Sequence, residues 1–226
     1  MANMLLIPGP VELTDDIKLA QGGAMINHRS TDFGALNAEI TQNLVKMFKS
    51  QEAYVITGSG TAAIESIIAS VVKPDDRMLC LANGFFGDRF CATAKIYCKV
   101  VEEKKQWGTG FSIERAKDAI DNSDANVLGM VYNDTSTGVA NHIRDICLYA
   151  KKNGMYTLID AVSAWGGHPV DVNAWGIDAL AAGSQKCLGA PPGLSMVALS
   201  ADGVGRVDSN APRTYYLDLK KYREYG

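Results

Sequence analysis

The stretch AYVITGSGTAAIESIIASVV, residues 53–72, sets the fold. Its first residues form a short run of apolar, β-branched and aromatic side chains, as a buried strand requires. Gly58, Ser59 and Gly60 break the run, and Ile64, Ile67, Ile68 and Val71 then recur at helical spacing. A strand that turns on glycines into a helix is one half of a βαβ unit. The same alternation continues downstream. RMLCLANG (77–84), NVLGMVYN (126–133), MYTLIDAVSA (155–164), IDALAAGS (177–184) and LSMVALS (194–200) read as strands, while SIERAKDAID (112–121) and RDICLYAKKNG (144–154) read as helices. Ser112 is the expected N-cap of the first helix and Gly154 the expected stop of the second. The pattern predicts an α/β chain with a mostly parallel central sheet flanked by helices. The first fifty residues differ: IPGPVEL (7–13) is extended and punctuated by proline, and NAEITQNLVKMF (37–48) has the pattern of an amphipathic helix.

With 226 residues, 47% of them hydrophobic and 21% charged, the chain can bury a real core in one domain or a little more. Its 25 acidic and 22 basic residues are mixed along the sequence for a net charge of -3. That balance argues against a nucleic-acid surface or a polybasic membrane surface and points to small-molecule chemistry. Cys80, Cys91, Cys98, Cys147 and Cys187 are widely spaced, with no CxxC pair and no neighbouring His cluster. Reduced thiols are therefore expected, with neither a disulfide framework nor a metal site. No apolar window has bilayer-spanning length, and MANMLLIPGP lacks the basic start and long apolar stretch of a secretory signal, so a cytoplasmic location is expected.

In an open parallel sheet, ligands gather beyond the carboxyl ends of the strands. TGSGTAA (57–63) places Ser59, Gly60 and Thr61 between a strand and a helix start, where free N–H groups favour an anion such as phosphate, although such turns also arise for steric reasons. ANGFFGDR (82–89) supplies Phe85 and Phe86, either core residues or a surface for a heteroaromatic ring. YNDTSTG (132–138) gathers Asp134, Thr135, Ser136 and Thr137, either a binding cluster or a turn of self-bonded hydroxyls. In TLIDAVSAWGG (157–167), Asp160 ends an apolar strand, where an unpaired carboxylate is costly; it is either a helix cap or the partner of a cation such as a protonated pyridine nitrogen. DALAAGSQKCLGAPPG (178–193) ends another apolar run in Lys186, either a plain loop residue or an amine placed to form a Schiff base with an aldehyde. An anion site, a flat surface, a carboxylate for a ring nitrogen and an amine for an aldehyde together fit one ligand, pyridoxal 5'-phosphate (PLP).

The sequence resembles the class V, fold-type I PLP-dependent aminotransferases, and within them the alanine–glyoxylate and serine–pyruvate (serine–glyoxylate) group. The resemblance runs in order through LIPGP (6–10), NHRS (27–30), TGSGTAAIE (57–65), NGFFGDR (83–89), NDTSTGV (133–139), DAVSAWGG (160–167), GSQKCLGAPPGLS (183–195) and YYLDLKKY (215–222). It implies an N-terminal extended segment over residues 1–20 followed by a PLP-binding large domain of the fold-type I class over residues 21–226. It also implies that Lys186 forms the Schiff base and moves a proton during the reaction, and that Asp160 keeps the ring nitrogen protonated. Val162 and Phe86 would cover the two ring faces and Thr135 would bond the ring hydroxyl. Ser59, Gly60, Thr61 and Gln185 would hold the phosphate region, while Asn27 and His28 are weaker candidates near the substrate.

Relatives often carry His at the position of Thr61, Trp at that of Phe86, and a different motif where this chain has YNDTSTG. Members of the family continue into a small C-terminal domain with the arginine that grips the substrate carboxylate, and this chain is read as lacking it. Nothing in the sequence aims Arg29, Arg89 or Arg213 at a carboxylate. The implied activity is transamination between a small amino acid, alanine or serine, and glyoxylate or pyruvate, in a homodimer or together with a separate C-terminal-domain chain. Three alternatives stand beside it: a cysteine desulfurase-like reaction, for which Cys187 beside Lys186 reads as packed rather than mobile; a pyridoxamine or ureidoglycine transaminase; and a non-catalytic PLP-binding half of a split enzyme.

Overall fold

The computed structural model describes residues 5–225, so the part of the expected N-terminal segment before Leu5 lies outside the described residues. Helices α1 (Asp15–Gln21) and α2 (Thr31–Phe48) precede β1 (Glu52–Thr57), α3 (Gly60–Val71), β2 (Arg77–Ala82), α4 (Phe85–Tyr97), β3 (Lys99–Lys104) and α5 (Ile113–Asp121). Then follow β4 (Val127–Val131), the short pair β5 (Asn133–Asp134) and β6 (Val139–Ala140), α6 (Ile143–Lys152), β7 (Tyr156–Asp160), β8 (Ala179–Gly183), β9 (Leu194–Leu199), α7 (Ala201–Ser209) and α8 (Leu219–Tyr225).

Seven strands form one sheet in the order β1-β9-β8-β7-β4-β2-β3. Pairing is parallel from β8 through β3, while β9 is antiparallel to both of its neighbours, β8 and β1. Six strands therefore share one direction and β9 alone is reversed. The reversal matters for the site: β9 starts at the end of the sheet where β8 stops, so the loop 184–193 stays at the carboxyl end. Gly183 faces Ser195 and Thr57 faces Leu194 across the two ladders, which brings the ends of β1 and β8 to one rim.

Every residue of β4 and β8 is buried, as expected of central strands covered on both faces. Alternate residues feed two cores. Leu79 and Leu81 point to one that contains Phe48, Leu128, Ile146 and Leu180; Met78 and Cys80 point to the other, with Ile64, Ile67, Phe90 and Val197. On the first side Phe48 stacks on Trp165 with centroids 4.1 Å apart, anchoring α2 to the loop after β7. On the second side Arg213 donates to the carbonyls of Ala69 (3.1 Å) and Tyr97 (2.8 Å), joining the C-terminal ends of α3 and α4.

The strands and helices read from the sequence are present, with Ser112 accepting from the Arg115 N–H as the cap of α5 and Gly154 at φ 77° just beyond α6. Seven further helices and strands were not legible, the short pair β5 and β6 among them. Four charges in KVVEEK disguise β3, an edge strand paired only to β2. The paired phenylalanines and glycine that open FFGDRF hide the start of α4. Residues 5–14 carry no helix or strand, but the expected extended segment gives way to α1 at Asp15, a helix with no buried residue. Helices α7 and α8 close the C-terminal side.

Gly129, in the middle of β4, admits the close approach of α4. A Cβ there would collide with the Phe90 ring and lie 2.8 Å from Met78 Sδ. Gly129→Ala is predicted to lower stability by about 1–3 kcal/mol through overpacking. The expected result is a lower urea midpoint at unchanged m-value; an unchanged midpoint would mean that α4 shifts freely.

Candidate active site

The turn between β1 and α3 is built on backbone. The Ser59 carbonyl accepts from the Ala62 and Ala63 N–H groups at 2.8 and 3.4 Å, while its side chain makes no capping bond. Among the described residues, the Gly60 and Thr61 N–H groups have no partner, which leaves first-turn donors at the rim. Gly60 is required by close approach: a Cβ there would lie 2.7 Å from Val162 Cγ2. Val162 is thus wedged between this turn and Gly183, whose own Cβ would meet Val162 Cγ1 at 3.1 Å and Gln185 Oε1 at 3.2 Å.

Asp160 is the last residue of β7 and only 3% exposed. Its Oδ1 accepts from the Val162 N–H at 2.8 Å, and Oδ2 accepts nothing among the described residues. Burial pushes its carboxyl up to about 6; the Val162 N–H and the positive fields of Arg89 and Lys186 oppose that rise, and Asp134 adds to it. Lys186 follows β8 and donates from Nζ to the Pro8 carbonyl at 3.1 Å, while the Val11 N–H bonds the Gln185 carbonyl at 3.1 Å. The N-terminal stretch therefore lies across the lysine loop.

These elements converge on one small pocket, open to solvent, whose wall includes Phe86, Arg89, Thr135, Asp160, Val162 and Lys186. Asp160 ends β7, Lys186 lies in the loop after β8, and both line this pocket. Ser59, Gly60, Thr61 and Gln185 adjoin it through Val162 and Gly183. Asn27 and His28 are not brought to it: both are exposed in the turn before α2, where Asn27 Oδ1 accepts from the Arg29 N–H at 3.0 Å.

The polar cluster after β4 divides between its two readings. Thr135 lines the pocket, whereas Asp134, fully buried, accepts from the Gly87 N–H (2.9 Å), the Ser136 N–H (3.1 Å) and Ser136 Oγ (2.6 Å). Asp134 thereby caps α4 from outside the helix. Phe86 is half-buried, packed against the second core while lining the pocket, and Phe85 is exposed. Cys187 is exposed but engaged, its thiol donating to the Ser163 carbonyl at 3.5 Å.

Sequence reasoning missed Arg89, Asn133 and Ser163. Asn133 Nδ2 donates to Ser163 Oγ at 3.0 Å, and Ser163 Oγ returns a bond to the Asn133 carbonyl at 2.7 Å, lacing the ends of β5 and β7. Arg89 follows Phe86 by three residues, a signal readable only once the segment is known to be helical. Of the other two arginines, Arg213 is held by main-chain carbonyls and Arg29 is exposed.

The profile of the family Aminotransferase class-V matches residues 18–218. An uncharacterized aminotransferase of Methanocaldococcus jannaschii is 34% identical over 226 residues, covering 98% of this chain and 59% of its own length. The soluble hydrogenase 42 kDa subunit of Anabaena cylindrica is 33% identical, again over 98% of this chain and 59% of its own. The crystal structure of an alanine–glyoxylate aminotransferase from Nostoc sp. superposes with a TM-score of 0.94 at 30% identity, covering all of this chain and 62% of that one. The chain thus spans about three fifths of the length of these relatives.

The buried carboxyl of Asp160 sets a pH signature for the apoprotein. The folded state holds its proton up to about pH 6, the unfolded chain only to the ordinary 3.8, so its contribution to stability is present below about pH 4 and is lost as pH rises to about 6 and beyond. Asp160→Asn is therefore predicted to be more stable than wild type at pH 8 by about 2–3 kcal/mol, a difference that shrinks towards pH 4. Urea unfolding of both proteins across pH 4–8 measures this, and parallel profiles would contradict it.

Proposed function

The chain belongs to the class-V aminotransferases, and on that premise we propose that it transfers the amino group of a small amino acid, alanine or serine, to glyoxylate or pyruvate, with PLP carried on Lys186. The observation that carries this reading is the meeting of Asp160 and Lys186 in one pocket wall. The residues present fit the cofactor of the family: a buried carboxylate with one oxygen unpartnered among the described residues, a lysine lining the same pocket, free N–H groups at a helix start and a wedge of valine for one ring face.

PLP, when bound, supplies an electron-withdrawing ring that accepts charge from the substrate α-carbon. The chain's own residues do the rest. Asp160 holds the proton on the ring nitrogen, and its buried setting makes that ion pair strong. Val162 and Phe86, which line the pocket, would cover the ring faces and keep water from them. Thr135, which lines the pocket, would donate its hydroxyl to the ring oxygen. The Gly60 and Thr61 N–H groups, the hydroxyls of Ser59 and Thr61, and the Gln185 amide hold the phosphate, with the α3 dipole in their favour. Lys186 Nζ, which here donates to the Pro8 carbonyl, would hold the cofactor and, once freed by substrate, would serve as the acid–base group at the substrate α-carbon.

The likeness to the Nostoc alanine–glyoxylate aminotransferase supports glyoxylate as acceptor. Because the chain covers about three fifths of its relatives, catalysis, homodimer assembly and any contribution of a separate C-terminal-domain chain are parts of the same proposal, as are a cytoplasmic location and the division into a lead segment and a cofactor-binding large domain over residues 21–226. Among the described residues, no helix is long and apolar enough to cross a membrane.

Incubated with PLP, alanine and glyoxylate, the protein is expected to yield glycine and pyruvate. Borohydride reduction followed by peptide mapping should tag Lys186. Lys186→Ala should lose the tag and about 10²–10⁴-fold in rate. A tag without turnover selects the non-catalytic half of a split enzyme, and a tag on another lysine refutes the assignment.

A further inference from the structure

Of the three charged residues on α4, two are paired to the neighbouring strand: Asp88 with Lys104 at 2.7 Å and Lys95 with Glu102 at 3.0 Å. Arg89 is the exception. Among the described residues its side chain forms no ion pair and donates no hydrogen bond. Its Cζ lies 4.7 Å from the centroid of the Phe86 ring, one helical turn back, and it lines the same pocket as Asp160 and Lys186. A guanidinium does not shed its charge in a protein, so an unpaired one in a half-enclosed pocket is a standing positive potential.

The groups that act on Asp160 come from four places: Arg89 on α4, Asp134 on β5, Lys186 after β8 and the Val162 N–H of its own loop. Asp134 opposes ionisation of Asp160 and is committed to Gly87 and Ser136. Lys186 changes its bonding whenever it takes up or releases the cofactor. Arg89 keeps one charge throughout.

We propose that Arg89 is a positioning residue of the cofactor pocket: seated on the Phe86 ring, its permanent charge holds Asp160 as the anion that a protonated ring nitrogen needs, whatever Lys186 is bonded to. This rests on the PLP reading above. It also gives Phe86 a second task, as the platform that places the guanidinium. Among the charged groups acting on Asp160, Arg89 is the strongest influence against the effect of burial.

The test reads Asp160 directly. The full chain, free of cofactor and labelled with 13C-aspartate, is titrated by NMR, with the Asp160 carboxyl signal assigned by its loss in Asp160→Asn. Arg89→Gln is expected to raise the Asp160 midpoint by about one pH unit, and Arg89→Lys to bring it back to near wild type. Phe86→Leu, which removes the platform, is expected to raise it as well. In equilibrium dialysis, Arg89→Gln should bind PLP about tenfold more weakly at pH 6 and nearly normally at pH 8. An Asp160 midpoint that stays in place in Arg89→Gln overturns the proposal even if PLP binding weakens, because a purely structural support of Phe86 would weaken binding without moving it. Should Arg89→Gln fail to fold, an unmoved midpoint in Phe86→Leu overturns it equally. A wild type whose Asp160 responds to Arg89 as stated but which captures no PLP overturns the cofactor reading instead.

Discussion

A carboxylate buried at the end of a parallel strand is the constraint on which the rest of the site depends. Asp160 is only 3% exposed, so its charge depends largely on what the fold supplies: one N–H from Val162 and the positive fields of Arg89 and Lys186. These leave its carboxyl raised to about 6. A residue whose sole task was to cap the following turn would be at rest in its own hydrogen bonds. Asp160 is left wanting a cation, and the proposed ring nitrogen is that cation.

The fold creates the meeting of Asp160 and Lys186 through strand direction. Parallel strands deliver all their carboxyl ends to one rim, and the reversal of β9 returns the chain to that rim rather than the opposite one. The loop between β8 and β9 therefore keeps Lys186 at that rim. Close packing sharpens the placement: Gly60 and Gly183 admit Val162 between them, so one face of the pocket is set by contacts that a methyl group would disrupt. The opposite wall is carried by α4, whose start is pinned by the buried carboxylate of Asp134.

Much of this was legible in the sequence because it follows from local rules. Apolar runs announced the central strands, glycines announced the turns, and an acid and a lysine at strand ends stood out against the cost of burying charge. What was hidden is what tertiary context decides. KVVEEK becomes β3 because β2 offers it an edge, not because its own pattern asks for a strand. Asp134 and Thr135 are adjacent in sequence yet part ways: Asp134 ends β5 and bonds the start of α4, while Thr135 opens the following turn and lines the pocket. Arg89 could not be assigned while α4 went unread. Asn27 and His28 rested on resemblance alone, and the described chain keeps them in an exposed turn.

The most direct measurement is a crystal structure of the chain grown with PLP. The account predicts density continuous with Lys186 Nζ, a ring lying between Phe86 and Val162, and the ring nitrogen within hydrogen-bonding distance of the Asp160 carboxylate. A ring bound with its nitrogen turned away from Asp160, or PLP attached to a different lysine in a different pocket, would contradict it.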